Sequence, residues 1–147
     1  MSARRFFHRL GANTAGAAML EFALVGPAFI VMLMGVLQVG IAMQNYNALR
    51  NVSADVARYA MIQYTTGNRL TNDQLNSYAT TVAQGAPYLL NSRLIVTVDD
   101  AEAPQITGVT EKTLSIDYQI PSVLETMGLS GPVITYTRSV FLTAPST

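Results

Sequence analysis

From Phe22 to Met43 the chain reads FALVGPAFIVMLMGVLQVGIAM, an apolar run whose only strongly polar side chain is Gln38. Coiled into a helix, it spans about 33 Å at ~1.5 Å per residue, enough for a hydrocarbon core of roughly 30 Å. A helix apolar on every face needs either a large protein interior or lipid, and a chain of 147 residues seldom provides the first. Membrane insertion is therefore expected, at least for a precursor. The low charged fraction, 12% against roughly 25% in ordinary soluble domains, has its source here. Between Arg9 and Arg50 only Glu21 is charged.

The flanks set the orientation. Arg4, Arg5 and Arg9 precede the run, whereas the far side offers Arg50 and Arg58 with Asp55 between them. That bias keeps the N-terminus cytoplasmic and exports residues 44–147. Inside the run, Pro27 has no N–H and leaves the Ala23 carbonyl without its helical donor, and Gly26 adds a second weak point, so a kink or soft spot is expected there. Three exported classes then compete. Gly40-Ile41-Ala42 offers a small-residue site at which leader peptidase would release everything from Met43 onward. Arg4-Arg5-Phe6-Phe7 loosely matches a twin-arginine signal, but its arginines lie far from the apolar run and nothing downstream calls for folded export. The third class turns on Gly16 and Glu21.

A carboxylate at the centre of a membrane costs about 2.5–3.5 kcal/mol on insertion scales, and less at the edge. Glu21 sits directly against the apolar run. It suits the headgroup region and the first turns of a helix, where the macrodipole favours an acid, and it equally suits a long signal n-region. The surrounding string Gly16-Ala17-Ala18-Met19-Leu20-Glu21-Phe22-Ala23-Leu24-Val25, followed by Pro27, Gly35 and Gly40, resembles the processing and assembly motif of type IV pilins. It is most similar to the TadE-like proteins of tight-adherence (Flp) pilus systems. Ala54-Asp55-Val56-Ala57-Arg58-Tyr59-Ala60 resembles that family's Ala-Ala-Arg-x-Ala stretch, with Val56 as the departure. The resemblance covers about residues 14–62.

It implies a basic leader, 1–16, cut between Gly16 and Ala17 by a prepilin peptidase; a transmembrane helix, 17–43; and an exported domain, 44–147. A glycine suits the cut because extended backbone must enter a protease cleft closely. Glu21, beside Phe22, would pair with the Ala17 amine of a neighbouring subunit, since two charges left unpaired in low dielectric are costly. The implied partners are the prepilin peptidase, other pilin or pseudopilin subunits met through the N-terminal helix, an inner-membrane assembly platform and the bilayer. The implied place is the bacterial inner membrane, single-pass, with incorporation into a pilus. After removal of the leader, 131 residues make a subunit larger than a small major Flp pilin, which favours an accessory role.

Beyond the membrane, Tyr46, Leu49, Val52, Val56, Tyr59 and Ile62 recur at helical spacing, so the helix is expected to continue as a spine to about Tyr64, stopped by Thr65-Thr66-Gly67-Asn68. Thr71-Asn72-Asp73-Gln74 is a capping-box pattern that opens a second helix ended by Gly85 and Pro87. Strand patterns follow at Leu94/Val96/Val98, at Leu114/Ile116/Tyr118/Ile120 and from Val133 to Leu142, with a frayed tail after it. Three short antiparallel strands laid on a helical spine give an α+β class, also the plan of a pilin-like subunit.

Chemistry is sparse. The one histidine, His8, lies in the leader, and cysteine is absent, which argues against a triad, a thiolate nucleophile or a zinc site in the mature chain. No phosphate-binding glycine loop is present. Neither enzymatic activity nor a cofactor is expected. Without residues 1–16, six basic side chains face nine acidic ones, a balance unsuited to nucleic acid. Asp99, Asp100 and Glu102 are the one acidic cluster, a weak calcium candidate better read as a solvated turn. Tyr46, Tyr59, Tyr64, Tyr78 and Tyr88 are better read as packing residues than as a sugar-binding face.

Overall fold

A computed structural model describes residues 14–125 and 128–143. The leader arginines, His8 and the tail after Thr143 lie outside the described residues. Helix α1 runs Thr14–Thr65, unbroken through Pro27. Helix α2 covers Asn72–Gln84, and strands β1 (Leu94–Asp100), β2 (Thr110–Gln119) and β3 (Val133–Leu142) complete an α+β chain. It divides into two units, 1–39 and 40–147.

In the first unit the described part of α1 buries none of its residues from Gly16 to Val39; only Gly26, Met34 and Gln38 are half-covered. Phe22, Leu24, Phe29 and Met32 are each more than 60% exposed. Such a surface is unfavourable in water on every side, so this segment fits a membrane anchor.

The second unit holds the core. The sheet is an antiparallel meander in the order β1-β2-β3. Val98 opposes Leu114, Val96 and Tyr136 flank Ile116, and Lys112 opposes Val140. Alternation along each strand sends Val98, Leu114, Ile116, Tyr118, Val140 and Leu142 to one face, where they are buried. Against them the spine brings Leu49, Val52, Val56, Ala57 and Ala60, and α2 brings Leu75, Ala79 and Ala83. The helical stripe differs from its expected form at both ends. Tyr46 and Ile62 are exposed, while Ser53, Ala57 and Ala60, too small or too polar to register as a stripe, fill the centre.

Local signals explain the boundaries. Thr71 Oγ1 accepts from Gln74 N (3.3 Å) and Gln74 Oε1 accepts from Thr71 N (2.9 Å), closing both halves of the capping box. Gly85 caps the other end of α2, its N–H donating to the Thr81 carbonyl. Strand β2 begins at Thr110, four residues before the apolar alternation, and β2 and β3 have ten residues each. Strand β3 has the bounds expected of it, whereas β1 and β2 extend beyond the residues of their alternating patterns.

Candidate processing and assembly segment

Gly16, Ala17, Glu21, Phe22, Gly26 and Pro27 all lie in the first turns of α1. A side chain built at Gly16 would meet nothing within 4 Å, and the same holds at Gly35 and Gly40. Packing within this chain therefore does not require those glycines. Gly26 differs: the Phe22 ring, one turn earlier, lies 3.7 Å from where its Cβ would be. Phe22, Ala23, Val25, Gly26, Pro27 and Phe29 line a shallow, almost wholly apolar recess on the helix. Glu21, adjacent in sequence to Phe22, is exposed and is the only charged residue between Gly16 and Val39.

The acidic cluster is not brought together. Asp99 and Asp100 belong to strand β1 rather than to a turn, and consecutive strand residues point to opposite faces. Among the described residues no three carboxylate, histidine or cysteine side chains converge in a way that could hold a metal ion. Asp100 is instead engaged by Lys112, whose Nζ lies 2.5 Å from Asp100 Oδ1 and 2.6 Å from Asn72 Oδ1. The hydrogen bond from Lys112 holds the Asp100 carboxyl below its usual range, with burial opposing. One nearly buried lysine thus ties the start of α2 to the end of β1.

The tyrosines pack. Tyr59 stacks on Tyr78 with ring centres 3.8 Å apart, and Tyr46 meets the edge of Tyr136 at 5.7 Å. Tyr64 shares a hydrogen bond with Thr110 (2.9 Å). Tyr88 donates to Asp55 Oδ2 (2.7 Å), and that bond pushes the phenol above its ordinary pKa.

Three features were invisible to sequence reasoning. Glu111, buried on β2, accepts the Gln105 N–H (2.7 Å) and pins the 101–109 loop. Arg93 forms a paired salt bridge with Glu125, which raises the guanidinium's pKa and lowers the carboxyl's. Gly131 passes so close to the Ile120 carbonyl that no side chain fits.

Among the described residues the chain has an α+β unit preceded by one long apolar helical stretch that is exposed. The model of the TadE-like protein family matches residues 16–58, the stretch from the Gly16 signature through Arg58. Over that segment, less than a third of its length, the chain is similar to the TadE-like proteins. No curated protein and no solved structure matches it.

Proposed function

We propose that the chain is a minor pilin or pseudopilin that builds or primes a tight-adherence pilus, without enzymatic activity of its own. The observation that carries this reading is the TadE-like match beginning at Gly16 and running into an apolar helix exposed on every side. A prepilin peptidase would cut between Gly16 and Ala17 on the cytoplasmic face, leaving residues 44–147 in the periplasm. The bond lies in the first turn of α1, so cutting requires that turn to unwind. The first N–H groups of a helix have no intrahelical acceptor, and glycine is about 1 kcal/mol less helix-favouring than alanine, so opening at Gly16 is easy.

Glu21 then serves assembly. As the only charge of its segment it favours a docked neighbour whose Ala17 amine meets it, and it disfavours a register that leaves both unpaired. The recess around Gly26 and Pro27 gives the same neighbour a place to pack, and the inner-membrane assembly platform would receive the joined helices. A Glu21→Ala variant tests this directly. Processing and membrane insertion should match the parent while incorporation into pili falls; pili formed at parental levels would remove Glu21 from the mechanism.

A further inference from the structure

Lys112 is the only lysine of the chain, and it sits where a lysine is costly, inside a strand with its side chain only 11% exposed. Its Nζ lies 2.6 Å from Oδ1 of Asn72, the first residue of α2, and 2.5 Å from Oδ1 of Asp100, the last residue of β1. Asn72 closes the triangle. The Asp100 carboxyl is held below its usual range by the hydrogen bond from Lys112 foremost, against the effect of burial, and further by one from the Asn72 side chain. A carboxylate only accepts, so the Asn72 group it meets is the Nδ2 amine.

The triangle contains the parts of an amide exchange: an amine, a carboxamide carbon and a carboxylate that touches both nitrogens. A carbonyl carbon lies ~1.23 Å from its oxygen, so Nζ stands roughly 3–3.8 Å from Asn72 Cγ, against ~3–3.5 Å for a near-attack pair. Burial of Lys112 limits the access of water to that carbon. Groups aligned in this way within one chain react as though present at about 10⁵–10⁸ M.

We propose that Lys112 and Asn72 condense to an isopeptide bond that ties α2 covalently to strand β2, with Asp100 carrying the proton. The neutral Lys112 amine attacks Asn72 Cγ; the Nζ–Cγ bond forms and the Cγ–Nδ2 bond breaks. Asp100 takes the proton that Nζ sheds and hands it to Nδ2, so that ammonia leaves and the carboxylate is regenerated. No oxidant, reductant or cofactor enters the balance. An amine attacks only when neutral, a form about tenfold scarcer for each pH unit below its pKa, so the step is slow at neutral pH. One turnover per molecule is enough, and the departure of ammonia makes it irreversible. Before the step hydrogen bonds alone join α2 to the sheet at this point; after it an amide does. The bond spans forty residues and, in a chain without cysteine, restricts the unfolded state as a disulfide would. All three groups belong to the 40–147 unit, so the step is independent of whether α1 is cut.

The full chain in detergent micelles is incubated at pH 7 and at pH 9, digested with trypsin and analysed by mass. Trypsin cuts after Arg69, Arg93 and Arg138 but not at an acylated Lys112. The linked chain therefore yields peptides 70–93 and 94–138 as one branched species, lighter than their sum by one ammonia. That species should be present in the parent, with its share growing faster at pH 9, and missing from Lys112→Arg and Asn72→Ala. Asp100→Ala should slow its formation about a hundredfold. That variant should keep a cooperative urea transition, because the Asp100 side chain is 70% exposed and its removal opens no cavity. A parent chain that trypsin still cuts fully at Lys112 after a day at pH 9 overturns the proposal. A 94–138 peptide lighter by one water overturns it too, since Lys112 would then have condensed with Asp100. Linkage at the parental rate in Asp100→Ala overturns the role given to Asp100.

Discussion

A single methyl group at Gly131 should unsettle the exported unit more than its size suggests. The Cβ of an alanine there would lie 1.9 Å from the Ile120 carbonyl oxygen and 2.9 Å from its carbon, where ordinary contact begins at 3.4 Å. Both obstacles are backbone atoms, so no rotamer relieves them. The two segments must separate by more than about 1 Å, stretching the Ile120 N to Pro132 O bond from 3.0 Å. Overpacking costs about 1–3 kcal/mol and a lost hydrogen bond roughly 1, while the stiffer unfolded chain returns about 0.4–1. The expected net loss for Gly131→Ala is about 2–3 kcal/mol. Gly128, three residues earlier, is an internal control: its φ is +81° but its Cβ would meet nothing within 4 Å, so Gly128→Ala should lose only about 1–2 kcal/mol through backbone strain. All seven tyrosines lie in the 40–147 unit, so urea unfolding followed by tyrosine fluorescence, on the full chain in detergent micelles, reports this unit alone. A Gly131→Ala midpoint equal to the parent's, or a larger loss for Gly128→Ala, would refute the close passage of the two backbones.

Other expectations concern the joints of the domain. Because Asp100 has a lowered carboxyl pKa in the folded chain, its contribution is present above the unfolded carboxylate value of about 3.9 and is lost as pH falls through the lower folded value. Asp100→Asn should accordingly flatten the acid side of a stability–pH profile, and an unchanged acid limb would show that Lys112 does not act through it. Lys112→Met should lose about 1–2 kcal/mol at neutral pH, a modest figure because the Asp100 side chain is 70% exposed and can be solvated once released. Thr71→Ala removes the oxygen that caps α2 and should lower stability by about 1 kcal/mol in the same urea assay, with Thr71→Ser retaining most of it.

What could be read from the sequence was whatever is encoded locally. The apolar run, the Thr71–Gln74 box and the 94/96/98 and 114/116/118/120 alternations each depend on residues within one or two turns, and each stands in the fold where its pattern placed it. The start of β2 was hidden because Glu111 and Lys112, charged residue types that usually stay in water, occupy buried strand positions. Their partners are not adjacent in the strand pattern: Lys112 reaches Asn72, forty residues away, and Glu111 accepts from Gln105 across the preceding loop. The passage of Gly131 beside Ile120 leaves no trace in composition or spacing. For the candidate segment the reverse holds. Gly16, Glu21 and Pro27 were legible as a motif, whereas packing within the chain gives no reason for Gly16, Gly35 or Gly40.

The N-terminus of the mature protein decides the central claim. Intact mass and N-terminal sequencing of the chain expressed in membranes together with a prepilin peptidase should give a protein that begins at Ala17 and keeps the whole apolar helix. A chain that still begins at Met1 would make it an uncleaved anchor, and one that begins at Met43, with the helix removed, would contradict the pilin account altogether.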